Sequence, residues 1–186
     1  FKYFNFGVDS FNALATSLGA PAWQWDTFFR ITLPLGISFY TFQTLGYSID
    51  VFRGRIRPCR DWAQYALFVS FFPQLIAGPI ERGTRLLPQI LQPRQITKEN
   101  IYRGMYLFFW GIFLKVFIAD NLARIVDPVF AASGPYDGGS VLLAVYAFAF
   151  QIYCDFAGYS FMAIGLGQVM GIDLMENFRR PYFSRN

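Results

Sequence analysis

Charged side chains are absent from long stretches of the chain and cluster between them. Ile31 to Ile49 carries no charge. As a helix it would cover roughly 28 Å, close to the ~30 Å hydrocarbon core of a bilayer. A span over about 31–51 is predicted, with Pro34 in its first turn, where proline is tolerated. Asp50 to Asp61 follows as a charged loop holding Arg53, Arg55, Arg57 and Arg60. Arginines so close to a span mark the cytoplasmic side. Trp62 to Ile80 is again uncharged, but Pro73, Gln74, Gly78 and Pro79 interrupt its second half. The next loop, Glu81 to Arg103, is also basic. If both flanking loops are cytoplasmic, 62–80 dips into the membrane and returns as a re-entrant segment. A simple crossing is the alternative, and the pattern leaves both open. Re-entrant backbone is tolerated only where protein or a water-filled cavity satisfies it.

Thr97-Lys98-Glu99-Asn100 reads as a helix start with Thr97 as cap. A second span is predicted over about 101–119, with Lys115 near its far end and able to snorkel outward. Asp120 to Gly139 is net acidic and turn-rich, which places it outside as a loop. Gly138 to Ile172 carries a single charge, Asp155. One straight helix there would reach roughly 52 Å, too long for a perpendicular crossing. A span over about 140–171 is therefore read as either tilted and broken or split in two, with Gly158 as the break. The basic excess of the tail favours the cytoplasm. The path is outside, span, inside, dip, inside, span, outside, span, inside.

Composition agrees with this pattern. Of 186 residues, 54% are hydrophobic and only 15% charged, against about 25% in soluble domains. Aromatic residues make up 20%, more apolar surface than a soluble domain of this size hides without an aggregating patch. The Trp23-Gln24-Trp25 cluster suits a membrane interface, and a plain loop suits it equally. The net charge of +4 comes mostly from arginines that alternate with apolar runs. No basic stripe forms, so a nucleic-acid partner is not expected. Cys59 and Cys154 read as free thiols, with no disulfide framework and no metal site. The chain begins at Phe1 and ends at Asn186, which reads as an internal fragment, 1–186, of one membrane domain.

The fold class expected is therefore an all-α polytopic membrane protein, a helix bundle with a re-entrant segment. Within it Asp155 is the first candidate for chemistry, because an ionisable group deep in a span is costly. Gln151, Asp155 and Tyr159 fall at i, i+4 and i+8 and share one helical face. They form the wall of a polar tunnel, or a structural network that fixes helix packing. Ala163, Gly167 and Gly171 recur every four residues and suit close helix approach. Gln74, Glu81 and Arg82 form a second constellation, either a plain loop or one lining a cavity and oriented by a Glu81–Arg82 pair. The four arginines after the first span could contact lipid phosphates or an anionic carrier, although topology alone explains them. No phosphate-binding loop, nucleophile elbow or HExxH motif occurs, and there is no histidine.

Three groups of residues resemble the membrane-bound O-acyltransferase family. The first is Pro34-Leu-Gly-Ile-Ser-Phe-Tyr40-Thr-Phe-Gln43 with Gly46-Tyr-Ser-Ile-Asp50-Val-Phe-Arg53. The second is Phe71-Phe-Pro-Gln74-Leu-Ile-Ala-Gly78-Pro79-Ile80-Glu81-Arg82 with Leu87-Pro88-Gln89. The third is Tyr153-Cys-Asp155-Phe-Ala-Gly158-Tyr159-Ser160, leading to Glu176-Asn177-Phe178 and Pro181-Tyr182. The branch they are most similar to is the bacterial alginate O-acetyltransferase type, related to the D-alanyl transferases of teichoic acid. The resemblance implies transfer of an acyl group, here acetyl, from a cytoplasmic thioester to a hydroxyl of an exported polysaccharide such as alginate. The donor would be acetyl-CoA or an acylated carrier, with no bound cofactor. It also implies residence in the bacterial cytoplasmic membrane, a lipid bilayer around the spans, and periplasmic acetylation subunits as partners.

On this resemblance Gln151, Asp155 and Tyr159 line the tunnel, and Gln74, Glu81 and Arg82 form a loop near the donor side. The family's histidine follows the Glu-Asn-Phe and Pro-Tyr motif in a Trp-His segment, beyond Asn186. The fragment is thus expected to be inactive alone. Phe161 departs from the family, which often carries an acidic residue after Gly-Tyr-Ser. A secondary transporter and a non-enzymatic membrane subunit of an export complex are the alternatives.

Overall fold

The computed structural model describes residues 4–19, 36–75, 78–131, 134–178 and 181–183. The Trp23-Gln24-Trp25 cluster, the start of the first predicted span with Pro34, and Arg179, Arg180 and Arg185 lie outside the described residues. Among the described residues every regular element is helical. Two compact units are present, 1–37 and 38–186. The first contributes α1, Phe4–Ser17.

Gly36, at φ +76°, precedes α2, Ile37–Phe52, which belongs to the second unit from Ser38 on. The inner face of α2 is polar. Gln43, Tyr47 and Asp50 are buried, while Phe42, Leu45, Ile49 and Phe52 are exposed. Water would favour the reverse arrangement, since apolar surface is what it expels. The buried polar groups all have partners. Gln43 Nε2 donates to the Phe68 carbonyl at 2.8 Å, the Cys59 N–H donates to Tyr47 Oη at 2.7 Å, and Arg55 reaches Asp50 at 3.5 Å.

Next come α3, Trp62–Val69, capped by Asp61, and a 3₁₀ turn at Phe72–Gln74. At eight residues α3 rises roughly 12 Å. The chain then runs irregularly through Gly78–Arg82 into α4, Gly83–Leu91. The loop expected over 81–103 therefore holds a helix. Gly83, Leu86, Leu87 and Ile90 recur at helical spacing and are buried, while Thr84, Arg85 and Pro88 stay exposed. Tyr47, Phe68, Phe71, Leu86, Leu87 and Ile90 form one core with Ile164, Ile172 and Leu174.

Two long helices complete the unit. The first runs from Lys98 to Phe130 without a stop. It comprises α5, Lys98–Ile112, a π-helical stretch Phe113–Ala119, and α6, Asp120–Phe130. Thr97 caps it, its hydroxyl accepting from the Asn100 N–H at 3.2 Å, as expected. The expected loop after Ala119 is corrected: the helix continues for three more turns. Ala119, Leu122, Ala123, Val126 and Val129 keep an apolar stripe turned inward, and Asp120, Asn121, Arg124 and Asp127 lie on the other side. The second long helix is α7, Gly138–Val169, with Asp137 as cap. It is continuous, so the break expected at Gly158 does not occur. Both helices are long and apolar enough to cross a membrane.

The physical use of Gly158 is different. An added Cβ on Gly158 would lie 2.8 Å from the Gly111 carbonyl oxygen, and one on Gly111 would lie 2.5 Å from that of Gly158. Gly104 and Gly165 meet the same way, at 2.6 and 2.5 Å. The pairs 104–165 and 111–158 run in opposite directions, so α5 and α7 are antiparallel. The backbones touch where neither helix has a side chain. The stripe of Ala163, Gly167 and Gly171 is corrected too. Ala163 packs near Gly78, Gly167 near Leu174, and Gly171, at φ +73°, ends α7. The Ile172 N–H reaches the Gly167 carbonyl at 2.8 Å and the Gly171 N–H that of Gln168 at 2.9 Å. These two bonds make a Schellman stop.

Candidate functional site

The stop at Gly171 turns the chain back along α7. Asn177 Nδ2 donates to Ser160 Oγ at 3.3 Å. Phe178 sets its ring edge-on to Tyr153 at 6.0 Å and to Phe156 at 5.0 Å. Tyr182 bonds the Ala149 carbonyl and packs on Tyr153 at 5.8 Å. The irregular tail thus covers α7 from Ser160 back to Ala149. Irregular backbone beside an apolar helix is stable only where protein partners hold it.

Gln151, Asp155 and Tyr159 share one face of α7, as the spacing predicts, because the helix persists through them. What the spacing did not contain is Lys115. Its ammonium lies 2.7 Å from Asp155 Oδ1 and 2.6 Å from Asp120 Oδ1. It also sits 5.8 Å from the centre of the Tyr159 ring, within cation–π range. The expectation that Lys115 snorkels outward is corrected. The predicted span ended at Ala119, which put Lys115 near a terminus. The observed helix ends at Phe130, which puts it near the middle, where pairing with a carboxylate is the cheaper solution. The Lys115 side chain is 24% exposed, against 45% for Asp155 and 49% for Asp120. The cluster thus opens toward its carboxylates. Gln151 Oε1, one turn before Asp155, is buried and has no hydrogen-bond partner among the described residues.

The second constellation is only partly assembled as expected. Gln74 and Glu81 are buried at 4% and 2% exposure, and Arg82 is exposed. Among the described residues Glu81 makes no ion pair with Arg82. Its Oε1 accepts instead from the Met175 N–H, which fastens the loop to the returning tail. Burial pushes the Glu81 carboxyl above the usual carboxylate range, opposed by the Met175 N–H and the Arg85 charge. Among the described residues its Oε2 and both amide atoms of Gln74 have no hydrogen-bond partner. Arg85 and Gln89 on α4 complete the fastening. Arg85 pairs with Asp173 at 2.7 Å, and Gln89 both donates to and accepts from the Asp173 backbone at 3.0 and 2.8 Å.

A cavity of about 160 Å³ lies between the 72–78 loop, α5 and α7, bordered by Tyr159 but by none of Gln74, Glu81 and Arg82. Phe72, Pro73 and Gly78 of the loop line one side, and Phe108, Tyr159, Met162 and Ala163 the other. Tyr159 therefore borders the cavity while its ring also faces Lys115. Sequence reasoning missed the pairing of Lys115 with Asp155 and Asp120 and that of Asn177 with Ser160. Two signals were available: a lone charge within 104–119, and glycines seven apart on both long helices. Among the described residues no cluster suited to a metal ion occurs.

No family model matches the chain. Curated relatives do, among them these three. The "Probable alginate O-acetylase AlgI" of Azotobacter vinelandii is 47% identical over all 186 residues, which cover 36% of that protein. Its namesake from Pseudomonas putida is 46% identical over the whole chain and 37% of the relative. The "Peptidoglycan O-acetyltransferase" of Helicobacter pylori is 33% identical over the whole chain and 39% of the relative. The chain thus spans little more than a third of the length of the curated relatives it matches.

Proposed function

The chain belongs to the membrane-bound O-acyltransferase family, and from that premise we propose that its parent protein transfers an acetyl group from a cytoplasmic thioester to a hydroxyl of an exported polysaccharide. The donor is acetyl-CoA or an acylated carrier. The acceptor is a polymer of the alginate kind, after the names of the relatives. The observation that carries this reading is the polar stripe Gln151–Asp155–Tyr159 on a 32-residue, mostly apolar helix whose one charge is Asp155. A helix meant only to sit in lipid gains nothing from a carboxylate at its centre. A path for a hydroxylated polymer requires hydrogen-bonding groups there.

In this reading the stripe lines the acceptor path, and Gln74, Glu81 and Arg82 lie toward the donor side. The 160 Å³ cavity has room for about five groups of water size, at ~30 Å³ each. A short acyl group therefore fits within it. The protein is multi-pass in the bacterial cytoplasmic membrane. Its spans lie near 31–51, 101–119 and 140–171, the last two within longer helices, and periplasmic acetylation subunits assist it. The segment 62–80 is re-entrant, which is supported by the shortness of α3 and the irregular path to Arg82. A reporter scan placing 53–60 and 92–97 on opposite sides of the membrane would overturn that topology.

The test of function uses the full-length protein in membranes, with acetyl ester on the acceptor polysaccharide measured after donor addition. Wild type should form ester. Asp155→Asn and Tyr159→Phe should each lose most of it at equal protein level. Full ester formation by both variants would remove the path from these residues.

A further inference from the structure

The polar stripe on α7 has a partner that no motif marks. We propose that Lys115 is a positioning residue for Asp155, delivered to it by the π-helical turn Phe113–Ala119. This rests on the reading of Gln151, Asp155 and Tyr159 as the acceptor path.

Three observations carry it. The first is the helix geometry. The Asp120 N–H bonds to the Lys115 carbonyl five residues back, a π bond instead of an α bond. Each π turn takes an extra residue and so rotates the next turns of the helix relative to a plain α-helix. Seven-residue π stretches are rare and cost hydrogen-bond geometry, so a compensating interaction is required. The ammonium of Lys115, held between Asp120 on its own helix and Asp155 on α7, supplies it.

The second is the seam. Gly158 lies three residues past Asp155, and an added Cβ there would meet Lys115 Cβ at 3.0 Å and its N at 3.1 Å. The Lys115 backbone thus rests directly on Gly158. From that point its side chain reaches Asp155 on the same helix. Contact and charge together fix the height of Asp155 against α5.

The third is the division of the carboxylate. Lys115 engages Oδ1 of the Asp155 carboxylate at 2.7 Å. At 45% exposure the carboxylate keeps its second oxygen for another donor. A sugar hydroxyl is such a donor, and an oxygen held in one orientation accepts from it with less ordering cost than a free one. The Tyr159 ring, sharing the same ammonium, borders the same place.

The test compares Lys115→Met, Lys115→Arg, Asp155→Asn and the double variant Lys115→Met/Asp155→Asn in the full-length protein. Folded yield and the kinetics of acetyl transfer are measured together, with KM and kcat taken separately for acceptor and donor. Lys115→Met should lower transfer per folded molecule by about 10- to 100-fold, mainly through the acceptor and with the donor KM unchanged. Lys115→Arg should recover part of that loss, since it keeps the charge. The double variant should regain part of the folded yield, because the one carboxylate then left without Lys115, Asp120, is half exposed, yet stay inactive. Wild-type turnover in folded Lys115→Met, with Asp155→Asn inactive, would overturn the positioning role and leave the acceptor path intact. Recovery of activity in the double variant would overturn it too, since the pair would then be structural only. Full activity of Asp155→Asn would overturn the acceptor path itself.

Discussion

Gly111 and Gly158 face each other so closely that a Cβ on either would lie within 2.5 to 2.8 Å of the other's carbonyl oxygen. The two backbones are the interface at that point, and the Lys115–Asp155 pair sits one turn away. Gly111→Ala or Gly158→Ala must push the helices apart. Alanine gains about 1 kcal/mol in helix propensity over glycine. Overpacking costs about 1–3 kcal/mol, and the displaced ion pair adds to that. The net expected is a loss. Gly46 is the control: it lies inside α2 with nothing within 4 Å of an added Cβ. Gly46→Ala should be neutral or stabilising by up to about 1 kcal/mol. Thermal unfolding of the detergent-solubilised protein compares the three. Equal stability of Gly158→Ala and Gly46→Ala would refute the close approach.

Glu81 predicts a pH dependence of definite sign. Its folded pKa lies above the ordinary 4.5, chiefly because burial disfavours the charge. The folded state therefore prefers the proton. Its stabilising share is full below the ordinary value and is lost as pH rises through the folded pKa. Glu81→Gln keeps an oxygen for the Met175 N–H and cannot ionise. Relative to that variant, wild type should lose stability as pH is raised from about 4 toward neutrality. Glu81→Ala leaves the Met175 N–H unpaired and should cost about 1–3 kcal/mol at every pH. A wild type that instead gained on the glutamine variant with rising pH would show that Met175 and Arg85 outweigh burial.

Gly171 ends α7 at φ +73° with no close neighbour beyond ordinary contact. Substitution there meets only backbone strain, about 1–2 kcal/mol for an L residue in the left-handed region. Asparagine tolerates that region better than valine. The expected order of stability is Gly171 above Asn above Val. Tail docking should loosen in the same order, read by protease cleavage between 172 and 183. Identical cleavage in all three would detach the Schellman stop from the tail.

Tyr47 carries the last prediction. Its hydroxyl accepts from the Cys59 N–H at 2.7 Å, and its ring packs on Tyr65 and Phe68 at 5.1 and 5.8 Å. Tyr47→Phe keeps the packing and strands the N–H, for about 1–3 kcal/mol. Tyr47→Ala also loses the ring, for about 3–5 kcal/mol in total. A phenylalanine variant as stable as wild type would mean the loop after α2 is satisfied without Tyr47.

The sequence alone determined the apolar runs, the helix starts at Thr97 and the common face of Gln151, Asp155 and Tyr159. These follow from local rules: charge against hydrocarbon, side-chain capping and the period of the α-helix. The family motifs were legible for the same reason, as ordered residues along the chain. Helix ends were not. Lys98–Phe130 continues past its charged residues because Asp120 has Lys115 and because Val126 and its neighbours find α7. Gly158 reads as a break in isolation and becomes a contact only when Gly111 lies opposite. Lys115 reads as a terminal, outward charge until the true helix end places it mid-helix beside Asp155. Glu81 reads as paired with the arginine next to it, yet its partner is Met175, brought back by the turn at Gly171. Where an apolar helix stops, and which charge answers which, depends on groups far apart in the chain, and only the packed structure brings them together.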